Sequence, residues 1–202
     1  MRGEEARLAH PMLDRLAERL RARPATRAAT DGDPRRAAVA AIFRLGPRGE
    51  PELLFIKRAD WGGDPWSGHV AFPGGRSEPQ DASLEETAIR ETREETGIDI
   101  ARDGVLLGAL DELRPRTPAL PPIIVRPHVA VVASNVAPAP SAEVAQIFWV
   151  SVSALRDPAI SAEVVVVIRG EERRVASYHH GDYVIWGLTE RILRQLLELL
   201  GD

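Results

Sequence analysis

The chain has 202 residues, 44% of them hydrophobic, which is long enough for one sizeable core. It contains no cysteine, which excludes disulfides, cysteine-zinc sites and thiol nucleophiles and favours a reducing, cytoplasmic compartment. The net charge of −4 and a pI near 5.8 argue against a nucleic-acid duplex as partner, whereas small anions held by local arginines stay open. No stretch is long and apolar enough for a signal peptide or a membrane span, so we expect a soluble protein without a membrane partner.

Residues 1–34 are predicted to contain one helix and a connector. Residues 11–23 start with a proline and carry leucines at helical spacing, which is typical of a packing helix. Residues 24–34 have turn chemistry and little to bury, so the globular domain is expected to span 35–202. The first helix could cover its own sheet or that of a partner, which leaves a homodimer open.

Alternating apolar runs and turns predict strands in much of the remaining chain. The runs 37–45 and 52–57 flank Gly46-Pro47-Arg48-Gly49, which indicates a hairpin. Further strands are expected at 69–72, 104–112, 123–133, 146–150, 163–168 and 173–178. With helices at 84–96 and 187–200 added to the first one, we predict an α/β (α+β) fold with a mixed sheet covered on both faces.

The boundaries of the middle helix are marked by capping residues. Ser83 followed three residues later by Glu86 forms a capping box. Gly97 stands where a C-terminal cap belongs. Arg90 lies four residues from both Glu86 and Glu94, so we expect it to hold the helix in register and to orient Glu94.

Two glutamates share the apolar face of this helix. At about 100° per residue, Glu91 and Glu95 lie within roughly a quarter-turn of Leu84 and Ala88. A buried unpaired carboxylate is costly, and two of them four residues apart repel, so an ordinary solvated acidic face explains the pattern poorly. A divalent cation would resolve the conflict, and Glu94 on the adjoining flank could reach it. Three hard oxygen ligands suit Mg²⁺ or Mn²⁺ better than zinc.

The segment from Gly75 to Ile98 resembles the signature of the Nudix hydrolase family. Gly75 matches its opening glycine, and residues 90–98 match its closing Arg-Glu-aliphatic-x-Glu-Glu-x-Gly-aliphatic block, except that Thr92 replaces the first aliphatic residue. Asp81 replaces the usual early glutamate, and eight rather than seven residues separate it from Arg90. The resemblance implies a Nudix-type α/β/α sandwich and a metal-dependent pyrophosphohydrolase.

These departures are similar to the coenzyme A diphosphatase branch, in which a strand ending in Phe-Pro-Gly-Gly precedes an aspartate and one additional residue. Residues 70–75 and 81–84 match that pattern, and residues 183–189 are also similar. Upstream, residues 54–59 differ from the branch pattern Leu-Leu-Thr-x-Arg-Ser. The expected substrate is coenzyme A or an acyl-coenzyme A. Alternatives are a dinucleotide, ADP-ribose or a nucleotide sugar, or a non-catalytic ligand-sensing module.

The resemblance implies that Glu91, Glu94 and Glu95 bind the metal and that the Gly74 carbonyl completes the site. The implied reaction is attack of a metal-bound water on one phosphorus of a pyrophosphate. A carboxylate would accept the water's proton, and Glu91 and Glu143 are both candidates.

Three arginines are candidates for holding substrate phosphates. Guanidinium groups suit phosphate because they bind it in a bidentate manner, and Arg58, Arg114 and Arg116 lie near the expected site. Each of them could equally form a surface ion pair.

Overall fold

The structure, a computed structural model, describes residues 10–30, 32–62, 66–115, 122–168 and 170–201. In chain order, its elements are α1 (Pro11–Ala22), β1 (Arg35–Leu45), β2 (Pro51–Arg58), β3 (Val70–Ala71), β4 (Gly74–Arg76), α2 (Leu84–Thr96), α3 (Ile100–Asp103), β5 (Gly104–Ala109), β6 (Ile123–Val132), β7 (Val144–Ser151), α4 (Val152–Leu155), a 3₁₀ helix (Pro158–Ile160), β8 (Ser161–Ile168), β9 (Glu171–His180), β10 (Tyr183–Trp186) and α5 (Gly187–Leu200).

The main sheet is mixed, as the sequence predicts. Its strands follow the order β3-β2-β1-β6-β5, with β4 added to β1 and β7 added to β2. β1 and β6 run parallel, from Arg35 opposite Ile123 to Phe43 opposite Val131, whereas β1 and β2 form the expected antiparallel hairpin. β1 therefore lies at the centre of the sheet and is shielded on both faces.

Helices cover both faces of this sheet, which confirms the predicted α/β/α arrangement. On one face, Ala38, Ala40 and Ile42 pack with Ala88 of α2. On the opposite face, β1 residues such as Phe43 share a core with leucines of α1 and α5: Leu13, Leu16, Leu20, Leu193 and Leu196. Alternation of β1 side chains between two apolar layers explains why this strand reads as a continuous apolar run.

A second, smaller sheet is antiparallel and has the order β10-β9-β8. β10 had not been expected as a strand. It pairs with β9 from Tyr183 opposite His180 to Trp186 opposite Ser177 and leads directly into α5. No helix among the described residues combines the length and apolarity needed to cross a membrane.

The strand expected at residues 104–112 ends at Ala109 instead. A register shift interrupts its pairing with β6 between Leu106 and Gly108. Beyond it, the Glu112 amide donates to the carbonyl of Thr26, so this backbone bonds to the N-terminal connector. The prediction was wrong because the competing partner is distant in sequence.

Two acidic residues fasten that connector to the domain. Asp111 accepts a 2.7 Å hydrogen bond from the Thr26 amide, and Glu112 accepts one of 3.0 Å from the Ala28 amide. The side chain of Glu112 is fully buried and forms salt bridges with Arg36 and Arg126. The connector is therefore held by specific contacts of a buried carboxylate.

Replacing Glu112 by alanine is expected to lower the free energy of unfolding by about 2–4 kcal/mol, because it leaves two arginines without their shared carboxylate. Urea denaturation monitored by circular dichroism measures this change. The matched control is Glu171→Ala, which removes an exposed ion pair with Arg173 and should cost less than about 0.5 kcal/mol. Equal effects of the two variants would contradict a structural role for Glu112.

Candidate active site

α2 begins and ends at the residues that the sequence marks. The Ser83 hydroxyl accepts a 3.2 Å hydrogen bond from the Glu86 amide, and the Glu86 carboxylate accepts one of 2.9 Å from the Ala82 amide. At the other end, Gly97 takes a left-handed conformation with φ of 70°. These caps confirm the predicted helix 84–96, and its two ends fix which helical turns carry the glutamates.

Two glycines allow the strand β4 to lie directly against both α2 and β1. A Cβ atom on Gly75 would stand 2.3 Å from a carboxylate oxygen of Glu91. A Cβ atom on Gly74 would stand 2.3 Å from the carbonyl oxygen of Ala38, and its φ of 154° is one that L side chains rarely adopt. The two glycines form a short strand paired with β1, and this close packing requires both to lack a side chain.

Glu95 is the most deeply buried carboxylate at this contact, with 5% of the residue exposed. One oxygen accepts a 2.8 Å hydrogen bond from the Gly74 amide, and the other lies 3.9 Å from Nη1 of Arg58. Burial and the negative charge of Glu91 together raise the pKa of Glu95 to about 7. The hydrogen bond from the Gly74 amide lowers this pKa but does not cancel the rise. The site thus contains a carboxylate whose charge is poorly compensated.

Glu91 and Glu143 face the same region as Glu95. Burial raises the pKa of Glu91, and the charges of Glu94 and Glu143 act in the same direction. Glu143 also raises the pKa of Glu95. Its backbone carbonyl accepts from the Ala59 amide, which ties it to the strand end that carries Arg58. Three carboxylates therefore repel one another across a small space.

Arg90 donates hydrogen bonds to several of the acidic side chains around this site. It donates two 3.0 Å hydrogen bonds to the two oxygens of Asp81, and Nη1 donates to both Glu91 and Glu94 at 3.0 Å. The expected contact with Glu94 is confirmed. The expected contact with Glu86 is wrong, because Glu86 caps the helix and Asp81 takes its place.

The structure places the three expected phosphate-binding arginines differently. Arg58 lies beside Glu95, at the cluster of carboxylates formed by Glu91, Glu95 and Glu143. Arg114 donates a 3.1 Å hydrogen bond to the carbonyl of Ala29, so it also holds the N-terminal connector. Arg116 lies outside the described residues. Arg58 is therefore the candidate that the geometry brings to the site.

A loop beginning just after β2 carries an exposed aromatic side chain. Trp61, three residues beyond Arg58, is 60% exposed. The Ser67 hydroxyl accepts from the Trp61 amide at 3.0 Å and donates to its carbonyl at 2.8 Å, which closes the base of the loop. The indole is thus presented to solvent rather than buried.

The donor set fits a hard divalent cation. Glu91 and Glu95 supply carboxylate oxygens beside the two glycines of β4. Burial raises the pKa of both groups, and the Arg90 guanidinium at Glu91 and the Gly74 amide at Glu95 offset this only in part. In the part of the chain that the structure describes, no three acidic or histidine side chains form a closed ligand group. Arg90 donates to both Glu91 and Glu94, and the Glu94 side chain is 53% exposed.

Comparison with known proteins identifies the family. A family model described as NUDIX domain matches residues 34–169, more than half of the chain. The chain belongs to the Nudix hydrolase family. An uncharacterized Nudix hydrolase, NudL of Photorhabdus laumondii, is 37% identical over 134 residues, covering 65% of this chain and 68% of NudL.

Two further comparisons extend over more of this Nudix hydrolase. The mitochondrial coenzyme A diphosphatase NUDT8 of Mus musculus is 29% identical over 206 residues, covering 98% of this chain and 89% of NUDT8. A crystal structure of a NUDIX hydrolase from Alicyclobacillus acidocaldarius shares the fold, with a TM-score of 0.57 and 20% identity over 84% of this chain and 93% of that chain. The protein is thus a Nudix pyrophosphohydrolase, acting on pyrophosphate bonds of nucleoside diphosphate derivatives.

Asp81→Asn is expected to destabilise this Nudix hydrolase by about 2 kcal/mol at pH 7, because Arg90 loses its paired carboxylate. Arg90 lowers the pKa of Asp81 below its usual value of 3.8, so the contribution is present above that pH and is lost as the pH falls further. Urea denaturation between pH 3 and pH 7 measures the difference from the unmodified protein. Asp182→Asn, in an exposed turn, should show no such pH-dependent difference.

Proposed function

We propose that this Nudix hydrolase cleaves the pyrophosphate of coenzyme A or an acyl-coenzyme A with the help of Mg²⁺ or Mn²⁺. The observation that carries the metal dependence is Glu95, a buried carboxylate with a raised pKa that lies against Gly74 and close to Glu91. A cation held by Glu91, Glu94 and Glu95, with the carbonyl of Gly74, would compensate this charge.

The protein's own groups would divide the chemical work at such a site. When bound, a divalent cation supplies charge neutralisation and a more acidic water. Glu91 and Glu143 are the candidates to accept the proton of the attacking water, since both face Glu95. Arg58 would neutralise a phosphate oxygen, because its guanidinium already lies 3.9 Å from Glu95. Arg90 would position Glu91 and Glu94 rather than contact the substrate.

Coenzyme A is supported as the substrate by three features. The similarity to the coenzyme A diphosphatase NUDT8 spans 98% of the chain, including the parts outside the catalytic segment. Residues 70–75 and 81–84 also match the pattern of that branch. The exposed indole of Trp61, three residues beyond Arg58 in the chain, would provide a stacking surface for an adenine base.

A substrate panel tests this proposal. The purified protein, with Mg²⁺ or Mn²⁺, would be incubated with coenzyme A, acetyl-coenzyme A, NADH, ADP-ribose and diadenosine tetraphosphate, and the products identified by mass spectrometry. Coenzyme A and its acyl form should give the highest kcat/KM and yield a phosphopantetheine together with an adenosine bisphosphate. Preferred turnover of another substrate would overturn the coenzyme A assignment, whereas turnover that survives a chelator would overturn the metal dependence.

Glu95→Gln is expected to lower kcat by at least about 100-fold, because it removes a charged metal ligand. The fold should stay intact, because glutamine has nearly the same shape as glutamate. Calorimetric titration with Mn²⁺ should show weaker binding, which separates a metal-binding role from a purely structural one. Glu85→Gln is the matched control, since Glu85 is exposed on the outer side of the same helix. Near-normal activity of the Glu95 variant would remove Glu95 from the metal site.

A further inference from the structure

The strand β8 has a free edge that is unusually apolar. It pairs with β9 along its whole length, from Ser161 opposite Tyr178 to Ile168 opposite Glu171, without a register shift. Across the described residues, no strand pairs with its other edge. Val165 and Val167 are 53% and 69% exposed. The edge therefore offers unpaired backbone groups next to exposed valine side chains.

Features that usually protect such an edge are missing from the middle of β8. Exposed edge strands are normally shielded by charges, prolines, bulges or a covering element. Residues 164–167 are four consecutive valines, the pairing with β9 has no bulge, and the one ionisable residue of β8 is Glu163. An edge of this kind is suited to pairing with another strand.

We propose that β8 pairs in antiparallel fashion with β8 of a second copy of this chain, so that two small sheets form one six-stranded sheet. A twofold axis perpendicular to the sheet produces this arrangement and maps each face of the sheet onto itself. Residues directly opposite each other must then point to the same face. The axis therefore lies between the two β8 strands, level with one residue of β8 and the same residue of the partner strand. Only a few pairing registers meet this condition.

Charge selects among these registers. With the axis at Val164, Glu163 lies opposite the partner's Val165, whose neighbour on β9 is the partner's Arg174. The row through the axis then consists of Val175 and Val164 from each copy. With the axis at Val165, Glu163 lies opposite the partner's Val167, beside the partner's Glu172, and like charges meet. The register centred on Val164 is therefore favoured.

The Val164-centred register pairs residues 161–167 of each strand, nearly the whole of β8. Two paired strands of this length bury less surface than a typical stable interface of roughly 1,200–2,000 Å². The dimer should therefore be weak and concentration-dependent. Its formation involves none of the residues assigned to the active site, so it stands or falls independently of the proposed substrate.

A charge exchange tests the pairing. Sedimentation velocity over a concentration series should show a monomer–dimer equilibrium for the unmodified chain. Glu163→Arg should raise the dimer dissociation constant at least about tenfold, because in both halves of the dimer it puts an arginine on the same face as the partner's Arg174, with only the partner's Val165 between them. Adding Arg174→Glu to that variant should restore dimerisation to within about threefold of the original value. A chain that stays monomeric at all concentrations, or a dimer insensitive to both changes, would overturn the proposal.

Disulfide trapping tests the register, since the chain has no cysteine of its own. Under mild oxidation, Val164→Cys should form a covalent dimer, because the two introduced thiols lie opposite each other at the axis. Val166→Cys is the matched control and should not, because its counterpart is several residues away along the strands. Efficient trapping of Val165→Cys with little trapping of Val164→Cys would overturn the Val164-centred register. Circular dichroism of each variant checks that the monomer fold is retained.

Discussion

The contact between α2 and the glycines of β4 is the constraint on which the rest of the site depends. The helix can approach the strand because Gly75 has no side chain, and β4 can lie against β1 because Gly74 has none. The Gly74 amide then donates to Glu95. This contact buries Glu95 and brings Glu91 to the same strand. Packing of Ala88 against the small side chains of β1 keeps the helix at that distance. The close packing of α2 against β4 therefore brings the negative charges of Glu91 and Glu95 together.

Buried carboxylates serve two opposite purposes in this protein, and the number of hydrogen bonds that each one accepts separates them. Asp81 receives two hydrogen bonds from Arg90, and Glu112 is paired with Arg36 and Arg126; the pKa of each carboxyl is lowered, and each joins distant segments. Glu91 and Glu95 have less compensation, and their pKa values are raised. The first pair stabilises the fold because its charges are satisfied. The second pair is suited to binding a cation because its charges are not.

Local patterns were enough for much of the fold. The bounds of α2 and α5 and the β1–β2 hairpin follow from capping residues, helical periodicity and turn residues, all of which act over a few positions. The end of β5 and the strand β10 were not predicted, since each depends on partners remote in sequence. The same applies to Asp81: its spacing from Arg90 was visible, but their bidentate contact needs the chain to turn back onto α2.

The sequence by itself determined which residues form the acidic side of α2. Glu91, Glu94 and Glu95 follow Gly75 at the spacing of the Nudix signature, and helical geometry brings the three glutamates to neighbouring positions on that helix. Only the tertiary structure decided how those charges are compensated. Arg58 and Glu143 act on the charge of Glu95 from separate segments, and Arg114 donates to the N-terminal connector. Among the described residues, no strand pairs with the outer edge of β8. The physical reason is that burial and charge pairing depend on distances through space, which one-dimensional spacing specifies only within a single helix or turn.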